Sequence, residues 1–384
     1  MKAPEYYRDR EQTYLKHYFL ERYLERVAYI IGYSNDEFVY VDGFSGPWKS
    51  EDEQFEDTSF MIALQKLRNV RENLEKAGKY PRIRCLFIEK DPEAYRELEQ
   101  ATKNYPRAEV EVLNGEFEAL IPDILRFIGP SFSLVFIDPT GWTGFGLQQI
   151  APILKHHRGE VIVNFMFDYI NRFLEHPTPA ITRQMNELFG GSGWEKVVQS
   201  SPRREEAIVS LYRERMREVG GYRFVTSTRI LKPTADRSYF YLIYGTRHLK
   251  GLCEFSNVEK KFASEQEHIR SNAIQRSRIE RSGQNELFPA SEGTDDTLDF
   301  NEERAAQLAT AATRIMQVVR ESKRIRYEDL LARILEMPLV WQSDINDELQ
   351  RLCRTNKIRI EGLKTRERVP KIGHIIVLLA DKEI

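Results

Sequence analysis

Four short segments between residues 42 and 142 hold the residue types from which a small-molecule site can be built. The first is Asp42-Gly43-Phe44-Ser45-Gly46. Gly43 and Gly46 allow backbone to come close to a ligand, and Asp42 can attract a cationic amino group directly or through water. The second closes on Glu89, whose carboxylate can accept hydrogen bonds from both hydroxyls of a ribose. In the third, Asn114-Gly115-Glu116-Phe117, either Asn114 or Glu116 can bond an adenine edge while Phe117 covers its face. The fourth is Asp138-Pro139-Thr140-Gly141-Trp142. Asp138 can accept a hydrogen bond from an amine and raise its nucleophilicity, and the Pro139 carbonyl can accept a second. Trp142 can stack on a planar base, a contact worth about 1–3 kcal/mol in nucleic-acid sites. Asn164 is a candidate to line the same cavity.

Each segment follows an expected strand. Apolar runs at 38–41, 83–88, 110–113, 133–137 and 160–167 alternate with helical stretches at 10–31, 59–77, 92–103, 117–127 and 146–155. Continuous apolar strands alternating with helices predict an α/β fold with a parallel sheet covered on both faces. Gly32 is expected to end the first helix. Residues 168–220 read as a charged helical insertion, and 223–231 and 239–246 as an antiparallel pair of reversed sense at the sheet edge. The expected organisation is a Rossmann-like domain over 1–262, a helix and flexible linker over 263–303, and a second domain over 304–384.

A glycine turn, a strand-terminal acid, a polar third turn and an Asp-Pro fourth turn, in that order, suit S-adenosyl-L-methionine bound past the carboxyl ends of the strands. The predicted fold is the class I methyltransferase sheet. A nicotinamide dinucleotide is disfavoured because no Gly-x-Gly-x-x-Gly follows the first strand, and no phosphate-loop motif is present for a triphosphate. Cys85, Cys253 and Cys353 are far apart, with no metal-ligand spacing, and read as core thiols in a reducing compartment. No apolar run approaches the roughly 20 residues of a membrane helix, so a cytoplasmic protein with no metal and no membrane partner is expected.

The motifs are similar to those of the bacterial three-Cys-motif partner family, TcmP, over roughly residues 14–260. The shared segments are Lys16-His17-Tyr18-Phe19-Leu20 with Tyr23-Leu24, Tyr40-Val41-Asp42-Gly43-Phe44-Ser45-Gly46-Pro47, Phe136-Ile137-Asp138-Pro139-Thr140-Gly141, and Tyr241-Leu242-Ile243-Tyr244-Gly245-Thr246-Arg247-His248. Asp57-Thr58-Ser59 stands where the family often has Gly-Ser-Pro. The resemblance implies a methyltransferase-like fold and a separate metal-cluster partner protein. The Asp138 turn also resembles that of amino-directed nucleic-acid methyltransferases, but lacks their second proline and carries its aromatic residue one place later.

Charge points to a second function. The 57 Lys and Arg against 59 Asp and Glu give a net charge of −2, so the whole chain has no general attraction to polyanions. Yet residues 351–371 hold Arg351, Arg354, Lys357, Arg359, Lys364, Arg366, Arg368 and Lys371 against Glu361 and Glu367, eight minus two, or +6. Helices at 304–321, 327–336 and 342–354, followed by strands at 358–361 and 374–379, predict a winged helix whose basic residues contact DNA or RNA phosphates. The leading expectation is a methyltransferase acting on nucleic acid. The alternative is a non-catalytic methyltransferase-fold adaptor that holds its metal-cluster partner on nucleic acid.

Overall fold

The computed structural model describes residues 1–46, 50, 52, 54–175, 178–282, 295–364 and 366–379. The motif residue Pro47 and the linker positions 283–294 lie outside them. The chain forms two compact units, Met1–Arg247 and His248–Ile384, so residues 248–262 group with the second unit.

The first unit is built on seven strands: β1 (Glu37–Asp42), β2 (Arg82–Glu89), β3 (Glu109–Asn114), β4 (Phe132–Ile137), β5 (Gly159–Phe165), β6 (Phe224–Leu231) and β7 (Ser238–Thr246). Their order is β3-β2-β1-β4-β5-β7-β6. The first five are parallel, and β7 is antiparallel to both β5 and β6. This is a Rossmann-like mixed α/β sheet. The expected pair is present, but only β7 is reversed. It enters between β5 and β6, so β6 keeps the sense of the parallel strands. Every residue of β4 and β5 is buried, as continuous apolar runs require.

The helix α1 (Glu11–Ser34) precedes β1, and α2 (Ser59–Lys76), α3 (Pro92–Thr102), α4 (Ile121–Ile128) and α5 (Ala151–Leu154) connect the parallel strands. Thr58 caps α2 by accepting from the Met61 amide, and Asp91 caps α3 through the Glu93 and Ala94 amides. Gly32 does not end α1. It is buried within the helix, where an added Cβ would lie 2.8 Å from Leu74 Cδ1, so it permits close approach of α1 to α2. The insertion contains α6 (Phe167–Glu175), α7 (Pro179–Leu188), α8 (Trp194–Ser200) and α9 (Arg204–Gly220). The glycine-rich turn after α7 places Gly190 and Gly193 at φ of 68° and 86°, where a Cβ would be strained. Arg215 from α9 donates to the carbonyls of Phe189, Gly191 and Ser192, holding that turn.

A buried polar knot ties α1 to the sheet. Glu160 on β5 accepts from the Tyr23 hydroxyl at 2.7 Å and from Thr246 Oγ1 at 2.9 Å, and the Tyr23 and Tyr244 hydroxyls lie 2.6 Å apart.

The second unit contains α10 (Leu249–Ser282), α11 (Asp295–Ser322), β8 (Arg324–Arg326), α12 (Tyr327–Ile334), α13 (Gln342–Arg354), β9 (Ile358–Glu361) and β10 (Ile375–Leu378). β10 pairs antiparallel with both β8 and β9. Val318, Leu330, Ile345, Leu349 and Ile376 are among its buried core residues. Residues 295–303, expected within the linker, belong to α11, and β8 was not anticipated. No helix among the described residues is long and apolar enough to cross a membrane. Cys85 is buried and all three cysteines are free.

Replacing Glu160 with alanine removes a charged acceptor from two buried hydroxyls, which costs about 3 kcal/mol. Urea denaturation of the Glu160→Ala protein should show this loss; a change below about 0.5 kcal/mol contradicts the role given to the knot.

Candidate functional site

The parallel strands all end on one edge, and β1 and β4 leave the centre of the sheet in opposite directions. A crevice therefore opens beyond their carboxyl ends. A cavity of about 380 Å³ lies there, with Gly43, Phe44, Glu89, Glu116, Phe117 and Pro139 in its wall. Thr140, Gly141, Gln149, and Gln184 and Glu187 from α7 complete much of the rest. The contribution of α7 could not be anticipated, because nothing in its sequence ties it to the strand ends.

The loop after β1 is fixed by hydrogen bonds. The Gly43 amide donates to the Phe136 carbonyl and the Ser45 amide to that of Ile88, each at 2.9 Å, so the loop bridges β4 and β2. Ser45 Oγ donates to the Asp42 carbonyl at 2.8 Å. Asp42 is fully buried and outside the cavity wall, so of the two expected modes toward an amino group, direct or through water, the direct one finds no contact there. Its Oδ1 accepts from the Phe44 amide at 3.1 Å and its Oδ2 from Ser59 Oγ at 2.7 Å. Ser45 is likewise buried, and Ser45 and Gly46 are absent from the wall. Gly43 has no need of a positive φ. An added Cβ there would sit 2.7 Å from the Phe117 ring, so the glycine makes room for that ring.

Glu89 ends β2 at 3% exposure, and its Oε1 accepts from the Asp91 amide at 2.7 Å. Oε2 has no hydrogen-bond partner among the described residues, on a side chain that lines the cavity. Asn114 is corrected: its amide donates to the Glu89 carbonyl at 2.8 Å and to that of Lys90 at 3.3 Å, which ties β3 to β2 outside the wall. Of the two candidates for the adenine edge, Glu116 is the one that faces the cavity. Phe117 is 3% exposed and packs with Phe44, ring centroids 5.4 Å apart, at the floor.

The Asp138 turn departs further from expectation. Asp138 Oδ2 is 2.5 Å from Lys16 Nζ, and Oδ1 accepts from Asn164 Nδ2 at 2.7 Å. Two motif segments and β5, distant in sequence, thus meet at one carboxylate. Asn164 was expected to line the cavity, but neither it nor Asp138 is in the cavity wall; Lys16 was not anticipated, because a lysine near the start of an amphipathic helix reads as a surface charge. Asn164 Oδ1 is buried without a partner among the described residues. Trp142 is corrected from a base-stacking role: it is 8% exposed and packs on Phe173 of α6, centroids 5.2 Å apart, outside the cavity wall. Covering the large apolar indole between loop and helix outweighs leaving it open for a ligand.

All eight anticipated basic residues of the second unit, Arg351, Arg354, Lys357, Arg359, Lys364, Arg366, Arg368 and Lys371, are exposed. Arg351, Arg359 and Lys371 pair with Glu348, Glu361 and Glu367. Gln350 donates to the Arg368 carbonyl at 2.8 Å, which joins α13 to the loop before β10. Among the described residues no His, Cys, Asp or Glu cluster could hold a metal ion.

No family model matches the chain, and no curated protein does. Solved structures similar to it include cofactor-bound Rv0187 from MTB, 15% identical with a TM-score of 0.30, covering 59% of this chain and 79% of that one. Loganic acid methyltransferase with SAH is 10% identical with a TM-score of 0.31, covering 67% of this chain and 87% of the other. The likeness to the three-Cys-motif partner family thus rests on its motif residues alone.

Burial pushes the Asp42 carboxyl up to about 6, against the hydrogen bonds from Ser59 and the Phe44 amide, which pull it down. The protonated form is therefore favoured by folding. That contribution is complete below the unfolded value near 3.8 and is lost as the pH rises through about 6. Asp42→Asn removes the buried charge while keeping the side chain's shape. Relative to wild type its stability should rise between pH 4 and pH 7, by up to about 3 kcal/mol. A difference constant across that range in denaturant melts contradicts the assignment.

Proposed function

We propose that the chain is an S-adenosyl-L-methionine-dependent methyltransferase that acts on nucleic acid. The observation that carries the donor assignment is the pairing of the Gly43 cradle with Glu89 Oε2, which is unpartnered among the described residues, across one cavity at the strand ends. Backbone at Gly43 and Phe44 would approach the donor, Glu89 would hold the ribose hydroxyls, and Glu116 would reach the adenine edge above Phe117. Asp42 orders the loop from beneath. The bound donor supplies an electrophilic methyl group on a sulfonium.

The acceptor side is the turn of Asp138 and Pro139. A carboxylate has about four lone-pair sites, and Lys16 and Asn164 use one on each oxygen. The remaining sites can accept N–H bonds from an amine and orient its lone pair toward the methyl carbon. Lys16 and Asn164 fix the plane of that carboxylate. In the second unit, the order α11-β8-α12-α13-β9-β10 supports a winged helix, with α13 as recognition helix and the basic loop of residues 362–374 as wing.

A second reading is the methyltransferase-fold adaptor for a metal-cluster partner. It is favoured by the partners already bonded to each Asp138 oxygen together with the burial of Trp142, which leaves the turn without an exposed stacking ring. Wild-type function in the Asp138→Ala protein would select it.

Gly43→Val forces a side chain into Phe117. Titration calorimetry with S-adenosylhomocysteine should show binding weakened at least about 100-fold, equivalent to about 2.7 kcal/mol, with the fold intact by circular dichroism. Wild-type protein that binds neither donor nor product removes the methyltransferase reading. Separately, Arg366→Ala/Arg368→Ala in the full chain should lower the slope of log affinity against log salt by about 1.8 on duplex DNA or about 1.4 on single strands. An unchanged slope removes the wing from the interface.

A further inference from the structure

Three cations converge on one carboxylate beside the Asp138 turn. Asp168, one residue into α6, is nearly buried. Lys232 Nζ lies 3.0 Å from its Oδ2, Arg237 Nη2 2.8 Å from its Oδ1, and Arg172 Nη2 3.3 Å from its Oδ2. Two cations would satisfy the carboxylate, and the third leaves an excess of two positive charges over it. Further acids lie close by and offset part of this charge. Glu205 accepts from Ser238 and Tyr241, Glu206 pairs with Arg203, and Asp236 shares the turn with Arg237. The Arg172 and Arg237 side chains remain 56% and 60% exposed. Each guanidinium has five N–H donors and points only part of that set at Asp168.

Position gives the cluster meaning. β4, β5 and β6 run in the same sense, so Asp138, Asp168 and Lys232 all follow strand ends on the edge that carries the cavity. α6 also carries Phe173, which is 38% exposed and packs on Trp142 of the acceptor turn. Aromatic faces lie among the cations, with Arg172 over the Tyr169 ring at 4.6 Å and Lys232 over Tyr239 at 5.4 Å. Fixed cations interleaved with aromatic faces are the chemistry of a single-stranded nucleic-acid track.

Resting on the methyltransferase reading above, we infer that Arg172, Lys232 and Arg237, with Tyr169 and Phe173, form a track for the phosphodiester backbone of a single-stranded substrate, leading a base to Asp138. Asp168 is the positioning residue that holds the cations in place. Lys232, the least exposed of them, anchors the cluster, and Arg172 and Arg237 meet phosphate.

The test uses the full chain with fluorescein-labelled single-stranded RNA and DNA oligonucleotides, read by anisotropy over a salt series with S-adenosylhomocysteine present. Arg172→Ala/Arg237→Ala should weaken binding at least about tenfold and lower the salt slope by about 1.4, two contacts at about 0.7 each. Arg172→Lys/Arg237→Lys should restore most of the slope, and calorimetric binding of S-adenosylhomocysteine should be unchanged in both. Stronger binding in one oligonucleotide arm identifies the sugar of the substrate. Wild-type binding with affinity and slope unchanged in the alanine variant overturns the track and leaves the wider reading standing. Wild-type protein that binds S-adenosylhomocysteine but neither oligonucleotide overturns both the track and the nucleic-acid substrate. As a measurement independent of the variants, 4-thiouridine or 4-thiothymidine crosslinks on wild-type protein should map to peptides spanning 167–175 or 232–239. Crosslinks confined to other peptides of 1–247 overturn the track.

Discussion

The first unit depends on one awkward carboxylate. Asp42 sits at the tip of β1, with no access to water. Burying such a group is unfavourable unless its oxygens are bonded. The surrounding chain meets this demand with the Phe44 amide and Ser59 Oγ. One bond curls the loop back over the strand end, and the other ties the loop to the first turn of α2. Ser45 and Gly43 then reach to β2 and β4. Without that arrangement the cavity would lose the wall against which a ligand could rest.

A comparable logic governs the acceptor side, with opposite chemistry. Asp138 is compensated by charge from α1 and by an amide from β5. The turn between β4 and α5 is thereby held from three directions, and its indole is turned against α6. Rigidity of this kind serves orientation: a reacting group positioned by neighbours with fixed rotamers loses little freedom when its partner arrives. The polar knot around Glu160 secures α1 to β5 and β7, and hence stabilises the helix that presents Lys16.

Much of the sheet was legible in the sequence because its strands are uninterrupted apolar runs separated by capped helices. Period and punctuation identify such strands well. The ends of those strands were legible for the same reason, and Gly43, Glu89, Glu116 and Phe117 line one cavity. The misreadings share a cause. Asn114, Asp42 and Trp142 have side chains able to serve either a ligand or the protein, and local sequence does not reveal which partner is nearer. Lys16 escaped notice because its partner is 122 residues away. Gly32 was read as a helix stop because a glycine inside a helix costs about 1 kcal/mol, whereas here helix packing decides. The sense of β6 depended on β7 entering between it and β5, a matter of sheet order that no local pattern records.

The contact between Gly43 and Phe117 has a consequence for how such a chain can vary. The missing Cβ at position 43 and the ring at position 117 occupy what is in effect a single volume, shared between two loops that are far apart in sequence. Neither residue is free to change alone. A side chain gained at 43 requires one lost at 117, so among related chains the two positions are expected to drift as a pair, and the depth of the floor beneath the ligand is set by how they divide that space.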